Sequence, residues 1–252
     1  MSGTNNPRVL LACPINIVKD YCMDQWIDMI KNLTYDNYDI YLVDNSKNPQ
    51  YHKDLKKRHN VKISYVKPER NEEARYYMAR SIEKIRKRAV SKGYDRLFIL
   101  EVDVFPPANV IERLLVHDKQ VVGATYFTGH GQKTFLQLLK AVHLGEGKFE
   151  ASFYGWSEAA AFMNGKLNRA FANGNGCILI KREVLQQIKF HVDPDQVGHA
   201  DSFFHSDIFK LGIDNWIDTS FIPVHLNSDW DTMPDDIEHA DLWRKLQTKT
   251  FE

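Results

Sequence analysis

A short apolar run that ends abruptly in two carboxylates constrains the fold of this chain more than any other stretch. Residues 97–100 are four consecutive apolar residues, a run too short for a helix and typical of a buried strand. Glu101 and Asp103 follow, and the prolines at 106 and 107 cannot continue a hydrogen-bonded ladder. A strand over residues 97–102 would direct both carboxylates to one face, because side chains alternate along a strand.

Carboxylates as close together as Glu101 and Asp103 repel each other unless a cation or a shared proton lies between them. Oxygen ligands of this kind suit Mg²⁺ or Mn²⁺, which commonly bridge to phosphate oxygens. A second interpretation stays open from this stretch alone, in which one carboxylate ends the strand in solvent and the other caps the next turn.

The composition is that of an ordinary globular protein, with 43% hydrophobic and 26% charged residues. A length of 252 residues allows one large α/β domain or two small ones. The 33 basic and 33 acidic residues cancel, so no overall charge attracts nucleic acid or an anionic membrane, although a local basic groove is compatible with this balance.

The cysteines and the start of the chain bear on the cellular compartment. Cys13, Cys22 and Cys177 show no paired metal-ligand spacing, and an odd, sparse set favours buried thiols over a disulfide framework. No apolar run reaches the roughly 18 residues that a membrane span needs. Residues 1–7 are small and polar, so we expect a flexible tail without a secretion signal. Together with the cysteines and the lack of a long apolar run, this predicts a cytoplasmic protein without a membrane span.

Hydrophobic periodicity predicts strands that alternate with helices through the first half of the chain. The clearest helix has Ile82, Ile85 and Ala89 on its buried face and Gly93 at its end. The predicted strands are residues 8–13, 39–43, 61–66, 97–102, 120–124, 177–180 and 221–226. The predicted helices are residues 20–33, 71–92, 110–115, 183–188 and 200–211, with 47–59 as a polar helix or loop.

This alternation is typical of βαβ units and predicts an α/β fold, a single domain with a mostly parallel central sheet flanked by helices. Ligands of such sheets bind beyond the carboxyl ends of the strands. Pro14, Asp44, Glu101 and Asp103 all lie at such ends, so we expect three strands to direct polar groups to one rim.

Residues 125–172 follow no clear period and combine glycines with aromatic residues. We predict an irregular insertion that is functional or mobile, in which residues 136–143 form a short helix. Rings beside polar groups are consistent with a platform for a sugar or a base, although for any single ring core packing is the simpler explanation. The glycines of residues 173–176 then allow an unusual turn before the strand at 177–180.

Three further polar groups are candidates for chemistry. Asp201 lies near the amino end of a predicted helix, where it serves either as a cap or as a reactive carboxylate, and Asp207 follows on the same helix. His225 lies in an apolar strand, as a hydrogen-bonded core residue or as a metal ligand. Residues 44–46 form either an ordinary turn or acceptors for a ribose or a base.

The order of these motifs resembles nucleotide-sugar-dependent glycosyltransferases of the GT-A fold, particularly family 2-like members. In the first half of the chain, the resemblance is carried by the opening strand and proline, the aspartate that ends the second strand, a helix with arginines near its start, and the acidic metal motif. The matching residues are Pro14 and Asn16, Asp44 and Asn45, Arg75 and Arg80, and Glu101-Val102-Asp103.

In the second half, the resemblance continues through a Gly-x-Gly segment, an acidic motif and a histidine. Gly174 and Gly176 match the first of these, Asp201 with Phe204 and Gly212 matches the second, and His225 matches the third. The resemblance therefore covers most of the chain from residue 9 to residue 226.

The resemblance implies a donor, a cation and a set of roles. The donor is a UDP- or GDP-linked sugar, and the cation is Mn²⁺ or Mg²⁺. The acceptor is a hydroxyl on a glycan or a small molecule, with modified DNA as the less favoured alternative. Asp201 is the general base of an inverting transfer; in a retaining enzyme it would position substrate, and Asp207 would compete for its role. The implied metal ligands are Glu101, Asp103 and His225, and the implied donor-binding residues are Pro14, Asn16, Asp44, Asn45, Arg75, Arg80, Glu101 and Val102.

Two positions depart from the family pattern. Ala200 replaces the usual glutamate before the catalytic aspartate, which weakens the assignment of Asp201 as the base. Residues 227–229 lack the basic residue that often follows the last histidine. Neutralisation of the donor phosphates is therefore assigned to the cation, Arg75 and Arg80.

Three other functions fit parts of the pattern. A sugar-nucleotide pyrophosphorylase shares the architecture, but no glycine-rich basic loop follows the first strand. A catalytically inactive nucleotide-sugar-binding module is disfavoured by the joint presence of Glu101, Asp103, Asp201 and His225. A transferase acting on a modified nucleic-acid base has support only in the basic face of residues 84–92. The predicted organisation is a tail (1–7), a transferase domain (8–230, with a donor half 8–124 and an acceptor half 125–230) and an extension (231–252).

Overall fold

The structure of the protein is a computed structural model that describes residues 6–130, 133–145 and 148–226. The predicted extension 231–252 and residues 1–5 of the predicted tail lie outside this part, and the proposed boundaries of the domain and its halves stay predictions. In chain order the strands are β1 (Val9–Ile15), β2 (Tyr38–Asp44), β3 (Ile63–Tyr65), β4 (Arg96–Leu100), β5 (Val104–Phe105), β6 (Val121–Gly123), β7 (Phe127–His130), β8 (Lys133–Leu136), β9 (Leu139–Gly145), β10 (Lys148–Phe153), β11 (Leu167–Ala170), β12 (Cys177–Lys181), β13 (Asn215–Asp218) and β14 (Val224–His225). The helices are α1 (Asp20–Lys31), α2 (Tyr51–His59), α3 (Ala74–Ser91), α4 (Val110–Leu115), α5 (Trp156–Phe162), α6 (Arg182–Gln187) and α7 (Ala200–Lys210).

An eight-stranded sheet forms the centre of the described residues, in the order β11-β13-β6-β12-β4-β1-β2-β3. β4, β1, β2 and β3 are parallel to one another, and β6 is parallel to β13. β12 is antiparallel to both of its neighbours, β6 and β4, and β11 is antiparallel to β13. The predicted α/β class with a mostly parallel sheet is confirmed.

Strand β1 shows why the sheet is covered on both faces. Alternate residues face opposite sides: Leu11 packs on the side of Trp26 in α1, and Leu10 on the side of Ile85 in α3. All four side chains have no exposed surface. A strand buried on both faces needs a continuous apolar sequence, which is the pattern from which β1 is predicted.

Pro14 lies inside β1, which contradicts the prediction that the strand ends before it. Pairing with β4 stops at Ala12, while pairing with β2 continues to Ile15. The end of β1 is therefore paired on one side only, and a proline is tolerated there because no ladder partner needs its missing N–H.

The acidic motif is a turn and does not continue the preceding strand, so the predicted strand over residues 97–102 is wrong at its end. β4 stops at Leu100, and the amide of Val104 donates to the carbonyl of Glu101 at 3.0 Å. The two carboxylates therefore differ in burial, with Glu101 half-buried and Asp103 only 1% exposed. Alternation along a strand therefore does not describe how these two side chains are placed.

Residues 125–172 are more regular than predicted. The predicted helix over residues 136–143 is wrong, because most of that range belongs to β9, which pairs antiparallel with β10. The strand β13, which the periodicity does not predict, completes the sheet beside β6. β13 depends on a partner distant in the sequence, which a local pattern does not reveal, whereas β9 pairs with the strand that follows it directly in the chain.

The last predicted strand, residues 221–226, is reduced to β14 in the structure. It pairs with β5, which places His225 opposite Val104, and the amide of Leu226 donates to the carbonyl of Asp103 at 2.7 Å. This short ladder holds the histidine against the acidic turn.

Candidate active site

Asp103 is the centre of a buried cluster at the carboxyl end of β4. Its Oδ2 accepts hydrogen bonds from the ammonium of Lys19 and from Nε2 of His225, the latter at 3.0 Å. Its Oδ1 is buried and has no hydrogen-bond partner among the described residues. A carboxylate with one unsatisfied buried oxygen costs free energy unless a further cation, water or ligand reaches it.

His225 is held at both ring nitrogens. Nδ1 lies 2.8 Å from the carbonyl of Phe127 and therefore donates to it, and Nε2 faces Asp103. Burial disfavours the imidazolium, but the hydrogen bond and charge of Asp103 outweigh burial and raise the pKa of His225 above its ordinary value. The pKa of Asp103 is lowered in return, because His225 and Lys19 outweigh its own burial.

Glu101 has a different electrostatic environment from Asp103. Burial, reinforced by the charge of Asp103, raises the pKa of Glu101 to about 7. Lys19 and His225 oppose this shift without cancelling it. Glu101 is therefore a carboxylate that changes its protonation near neutral pH, next to one that stays ionised.

Tyr126 forms the wall behind these groups. Its ring contacts that of His225 edge-on at 5.2 Å between centroids. A Cβ atom built on Gly176 would lie 2.2 Å from the hydroxyl of Tyr126, so only glycine fits at this position of the turn before β12. Burial and then the charges of Glu101, Asp103 and Asp201 raise the pKa of Tyr126 well above its ordinary value.

Asn175 lies in the same turn, one residue from the carbonyl that accepts the amide of Glu101 at 2.9 Å. Gly174 begins this turn at φ +69°, in the left-handed region that favours glycine. The side chain of Asn175 is 3% exposed, and neither of its amide atoms has a hydrogen-bond partner among the described residues. The turn thus adds a second unsatisfied polar group to the rim.

A second group of polar residues lies at the ends of β1 and β2. Asn16 donates through Nδ2 to Oδ1 of Asn45 at 2.8 Å, and the amide of Ile17 donates to Oγ of Ser46 at 2.8 Å. Asp44 is fully buried, with Oδ1 bound to the amide and hydroxyl of Ser46 and with Oδ2 lacking a hydrogen-bond partner among the described residues. Burial raises the pKa of Asp44.

The predicted phosphate ligands Arg75 and Arg80 are not brought to Asp103. Arg75 donates to the carbonyl of Gln196 at 2.7 Å and ties α3 to that loop. Arg80 binds Glu72 at 2.6 Å and the carbonyl of Lys67 at 3.0 Å. Their role at a diphosphate stays a prediction, and it requires both guanidinium groups to leave these partners.

Asp201 lies in the first turn of α7 and is half-buried. His199, and not Asp201, occupies the N-cap position, and Oδ1 of Asp201 accepts the amide of Ser202 at 2.8 Å. The charge of Asp201 contributes to the raised pKa of both Glu101 and Tyr126, so Asp201 lies close enough to act on these groups electrostatically. Asp207, the competing candidate, is paired with His191 at 2.9 Å.

Sequence reasoning missed Lys19 and gave Tyr126 only a general place in an aromatic segment. Lys19 follows the opening strand and proline on a 3₁₀ turn, Ile17–Lys19, with no local pattern that marks it. The remaining signal is its place in the loop after β1, at the rim where sheets of this kind bind ligands.

The donor atoms fit a divalent cation in part. Asp103 supplies a buried oxygen, and His225 has the arrangement typical of a metal ligand, in which the other ring nitrogen is fixed by a carbonyl. Within the described residues, however, no group of three or more His, Cys, Asp or Glu side chains is already arranged around one point. Oδ1 of Asp103 is open to the ion as it stands, whereas Nε2 of His225 would have to give up the proton that it donates to Asp103, and Glu101 would have to join them.

The cysteines and the helix lengths bear on two further expectations from the sequence. Cys13, Cys22 and Cys177 are buried and form no disulfide. No helix in the described ranges is both long and apolar enough to cross a lipid bilayer.

Comparisons with known proteins find a resemblance in the fold but no match in the sequence. No known sequence family matches the chain, and no curated protein matches it. Solved structures do resemble its fold, among them the following three. The mannosyltransferase PcManGT from Pyrobaculum calidifontis, solved with GDP-Man and Mn²⁺, aligns with a TM-score of 0.52 at 16% identity, over 84% of this chain and 55% of its own.

The other two alignments have similar quality. GalNAc-T7, solved with UDP, GalNAc and Mn²⁺, aligns with a TM-score of 0.55 at 14% identity, over 86% of this chain and 43% of its own. TarS from S. aureus aligns with a TM-score of 0.52 at 10% identity, over 89% of this chain and 38% of its own. This chain thus spans about half or less of each of these proteins. Identities this low show the fold alone, and that fold is the GT-A fold of glycosyltransferases, as the motif order predicts.

Proposed function

We propose that this protein is a glycosyltransferase that moves a sugar from a nucleoside-diphosphate sugar to an acceptor hydroxyl with the help of a divalent cation. The observation that carries the proposal is the hydrogen bond between Asp103 and His225 at the carboxyl-end rim of a GT-A sheet, where the charge of Asp201 also acts on Glu101. The structural neighbours PcManGT and GalNAc-T7, which were solved with Mn²⁺ and with GDP-Man or UDP, support the type of donor and ion.

Asp103 and His225 would hold the cation, with Glu101 as a third ligand or a ligand through water. When bound, such a cation stabilises the negative charge that develops on the leaving nucleoside diphosphate. The unsatisfied Oδ1 of Asp103 supports this assignment, since a ligand there would satisfy it. Deprotonation of Glu101 near neutral pH would add a negative charge to the site, which would favour binding of the cation.

The nucleoside is assigned to the ends of β1 and β2, where Pro14, Asn16, Asp44 and Asn45 lie. Oδ2 of Asp44 lies 3.6 Å from Nδ1 of His52 and has no hydrogen-bond partner among the described residues, which supports a hydrogen bond from the donor. His52 and Tyr65 stack beside it at 4.8 Å and would have to admit the ribose or base.

Asp201 is proposed as the general base. It would accept the proton of the acceptor hydroxyl while the acceptor oxygen forms a bond to the anomeric carbon. The bond between that carbon and the diphosphate oxygen breaks, and the leaving group keeps the electron pair. In-line attack of this kind inverts the anomeric centre, and base catalysis contributes about a hundred- to ten-thousand-fold.

The acceptor is assigned to the half of the chain that follows residue 124. Phe149, Phe171 and Phe209 pack against one another there with centroids 4.7 to 5.4 Å apart. Phe209 is 38% exposed, so part of this ring cluster is accessible to a sugar face. The cluster supports a glycan or another hydroxyl-bearing molecule as the acceptor.

The test is a screen of UDP- and GDP-sugars with and without Mn²⁺, measured by calorimetric binding and by the products released on hydrolysis or transfer. We expect Mn²⁺-dependent binding of one donor class and release of the nucleoside diphosphate. Release of pyrophosphate would indicate a pyrophosphorylase instead. Donor binding without any turnover, even with a panel of glycan and hydroxymethylated DNA acceptors, would indicate an inactive binding module.

A further inference from the structure

Lys19 has no part in the mechanism above, yet it is in direct contact with the centre of the site. Its ammonium donates to Oδ2 of Asp103, the same oxygen that receives Nε2 of His225. The side chain of Lys19 is 40% exposed, whereas that of Asp103 is 1% exposed. The charge of the buried carboxylate is thus balanced by a flexible cation that reaches it from the solvent side.

The position of Lys19 along the rim points to a ligand. It ends the 3₁₀ turn whose other end, Asn16 and Ile17, is hydrogen-bonded to Asn45 and Ser46. Lys19 therefore lies between the residues assigned to the nucleoside and those assigned to the sugar and cation. In a nucleoside-diphosphate sugar the two phosphates join the nucleoside to the sugar, so they must cross this interval.

The other cations considered for the phosphates are engaged elsewhere. Arg75 donates to the carbonyl of Gln196, and Arg80 is bound to Glu72. The ammonium of Lys19 needs no rearrangement of a loop or helix to turn away from Asp103, because four rotatable bonds separate it from the backbone.

We propose that Lys19 is a diphosphate-binding residue that shares Asp103 with the divalent cation. In the free protein it neutralises Asp103. When a cation is bound at Asp103 and the donor is present, Lys19 donates to the phosphate oxygens instead. The exchange is favourable because two cations on one carboxylate repel each other, whereas the diphosphate offers at least two negative charges.

This inference rests on the proposed function and predicts two effects of opposite sign in Lys19→Met. The variant keeps the aliphatic stem and removes the charge. Without nucleotide, Mn²⁺ should bind at least about threefold more tightly, because a competing ammonium is gone. With Mn²⁺ at saturation, UDP or GDP should bind about tenfold or more weakly, because a charge-assisted hydrogen bond is lost.

Isothermal titration of the full chain measures both effects, with Mn²⁺ alone as one probe and UDP or GDP with saturating Mn²⁺ as the other. Lys53→Met, which removes the same charge from an exposed position on α2, is the matched control and should change neither. Lys19→Arg should restore most of the nucleotide affinity, since it returns the positive charge. Near-ultraviolet circular dichroism and the melting temperature verify that each variant is folded.

The outcomes separate this inference from the proposed function. A wild-type chain that binds Mn²⁺ but neither UDP nor GDP would overturn the proposed function and the role of Lys19 with it. A wild-type chain that binds nucleotide, while Lys19→Met changes neither affinity or shifts both in the same direction, would overturn the role of Lys19 alone. A merely structural lysine would not strengthen Mn²⁺ binding and weaken nucleotide binding together.

Discussion

Two clusters of one carboxylate and two cations lie at opposite ends of β4 and differ mainly in burial. At the carboxyl end, Asp103 contacts Lys19 and His225. At the amino end, Oδ1 of Asp118 accepts from Arg96 at 2.8 Å and from Lys181 at 2.9 Å. The side chain of Asp103 is 1% exposed, and that of Asp118 is 77% exposed.

The same pattern of charges has different consequences in water and away from it. Around Asp118 the solvent competes with each ion pair, so the pairs contribute about 0–1 kcal/mol each. Around Asp103 no solvent replaces a lost partner, and every change of charge is felt by the neighbours. Burial therefore makes the first cluster suited to binding a charged ligand and leaves the second a modest structural link.

The largest effect is expected from Asp103→Asn. The variant loses a charged oxygen ligand, so we expect a drop in Mn²⁺-dependent sugar transfer or donor hydrolysis of about a thousandfold or more. The free energy of unfolding should also fall by about 2 kcal/mol, below the range for fully buried pairs because Lys19 can turn to water. Transfer assays and urea denaturation measure the two effects. Turnover within a few-fold of wild type would remove Asp103 from the mechanism.

The next largest effect is expected from Asp201→Asn, which tests a rim carboxylate that is not bonded to either cation of the buried cluster. Loss of a general base should lower kcat by about a hundredfold or more while the donor still binds normally. Steady-state kinetics together with donor titration separate the two quantities. Near-normal kcat with intact donor binding would show that another group takes the proton, and Asp207→Asn is then the matched comparison.

A smaller, pH-dependent effect is expected from Glu101→Gln. The pKa of Glu101 in the folded protein is about 7, above its value in the unfolded chain, so the folded state binds the extra proton. Its contribution to stability therefore falls as the pH rises from the unfolded pKa towards the folded one. Glu101→Gln should gain stability relative to wild type by roughly 1 kcal/mol or more across that window.

Denaturation of wild type and Glu101→Gln at a series of pH values between about 5 and about 8 provides this comparison. Glu183→Gln, which removes an exposed carboxylate at the other end of the sheet, should run parallel to wild type. Parallel curves for Glu101→Gln as well would contradict the raised pKa of Glu101.

The smallest effect is expected from Asp118→Asn, the exposed counterpart of Asp103→Asn. Asp118 has φ +44°, a left-handed conformation that asparagine also tolerates, so the backbone is not strained by the change. We expect a loss of less than about 1 kcal/mol in unfolding free energy and no change in turnover. A loss as large as that of Asp103→Asn would show that burial does not distinguish the two clusters.

The elements that the sequence predicts well are those that local patterns describe. The runs at residues 97–100 and 177–180 correspond to the buried strands β4 and β12, and the period of residues 71–92 corresponds to α3. The end of α3 is marked as predicted by Gly93, which has φ +69°. In each case the pattern repeats within a single window, so no distant partner is needed to detect it.

The errors share a different cause. β9 was open to interpretation as a helix because its apolar residues gain their meaning only from pairing with β10. The acidic turn appeared as a continuation of β4 because only the carbonyl of Gly176 and the turn to Val104 show where the ladder ends. The carbonyl of Gly176 is distant in the sequence, whereas β10 and Val104 are close by, and there the local residues fit more than one structure.

What the amino-acid sequence determined by itself is the alternation of buried strands and helices, and with it the rim at which Pro14, Asp44, Glu101 and Asp103 are expected. What only the tertiary structure decided is which side chains meet there. Lys19 and His225 reach Asp103 across 84 and 122 residues of sequence, respectively. Hydrophobic periodicity acts over a few neighbouring residues, whereas the charge balance of a buried carboxylate depends on whatever the folded chain brings within hydrogen-bonding distance.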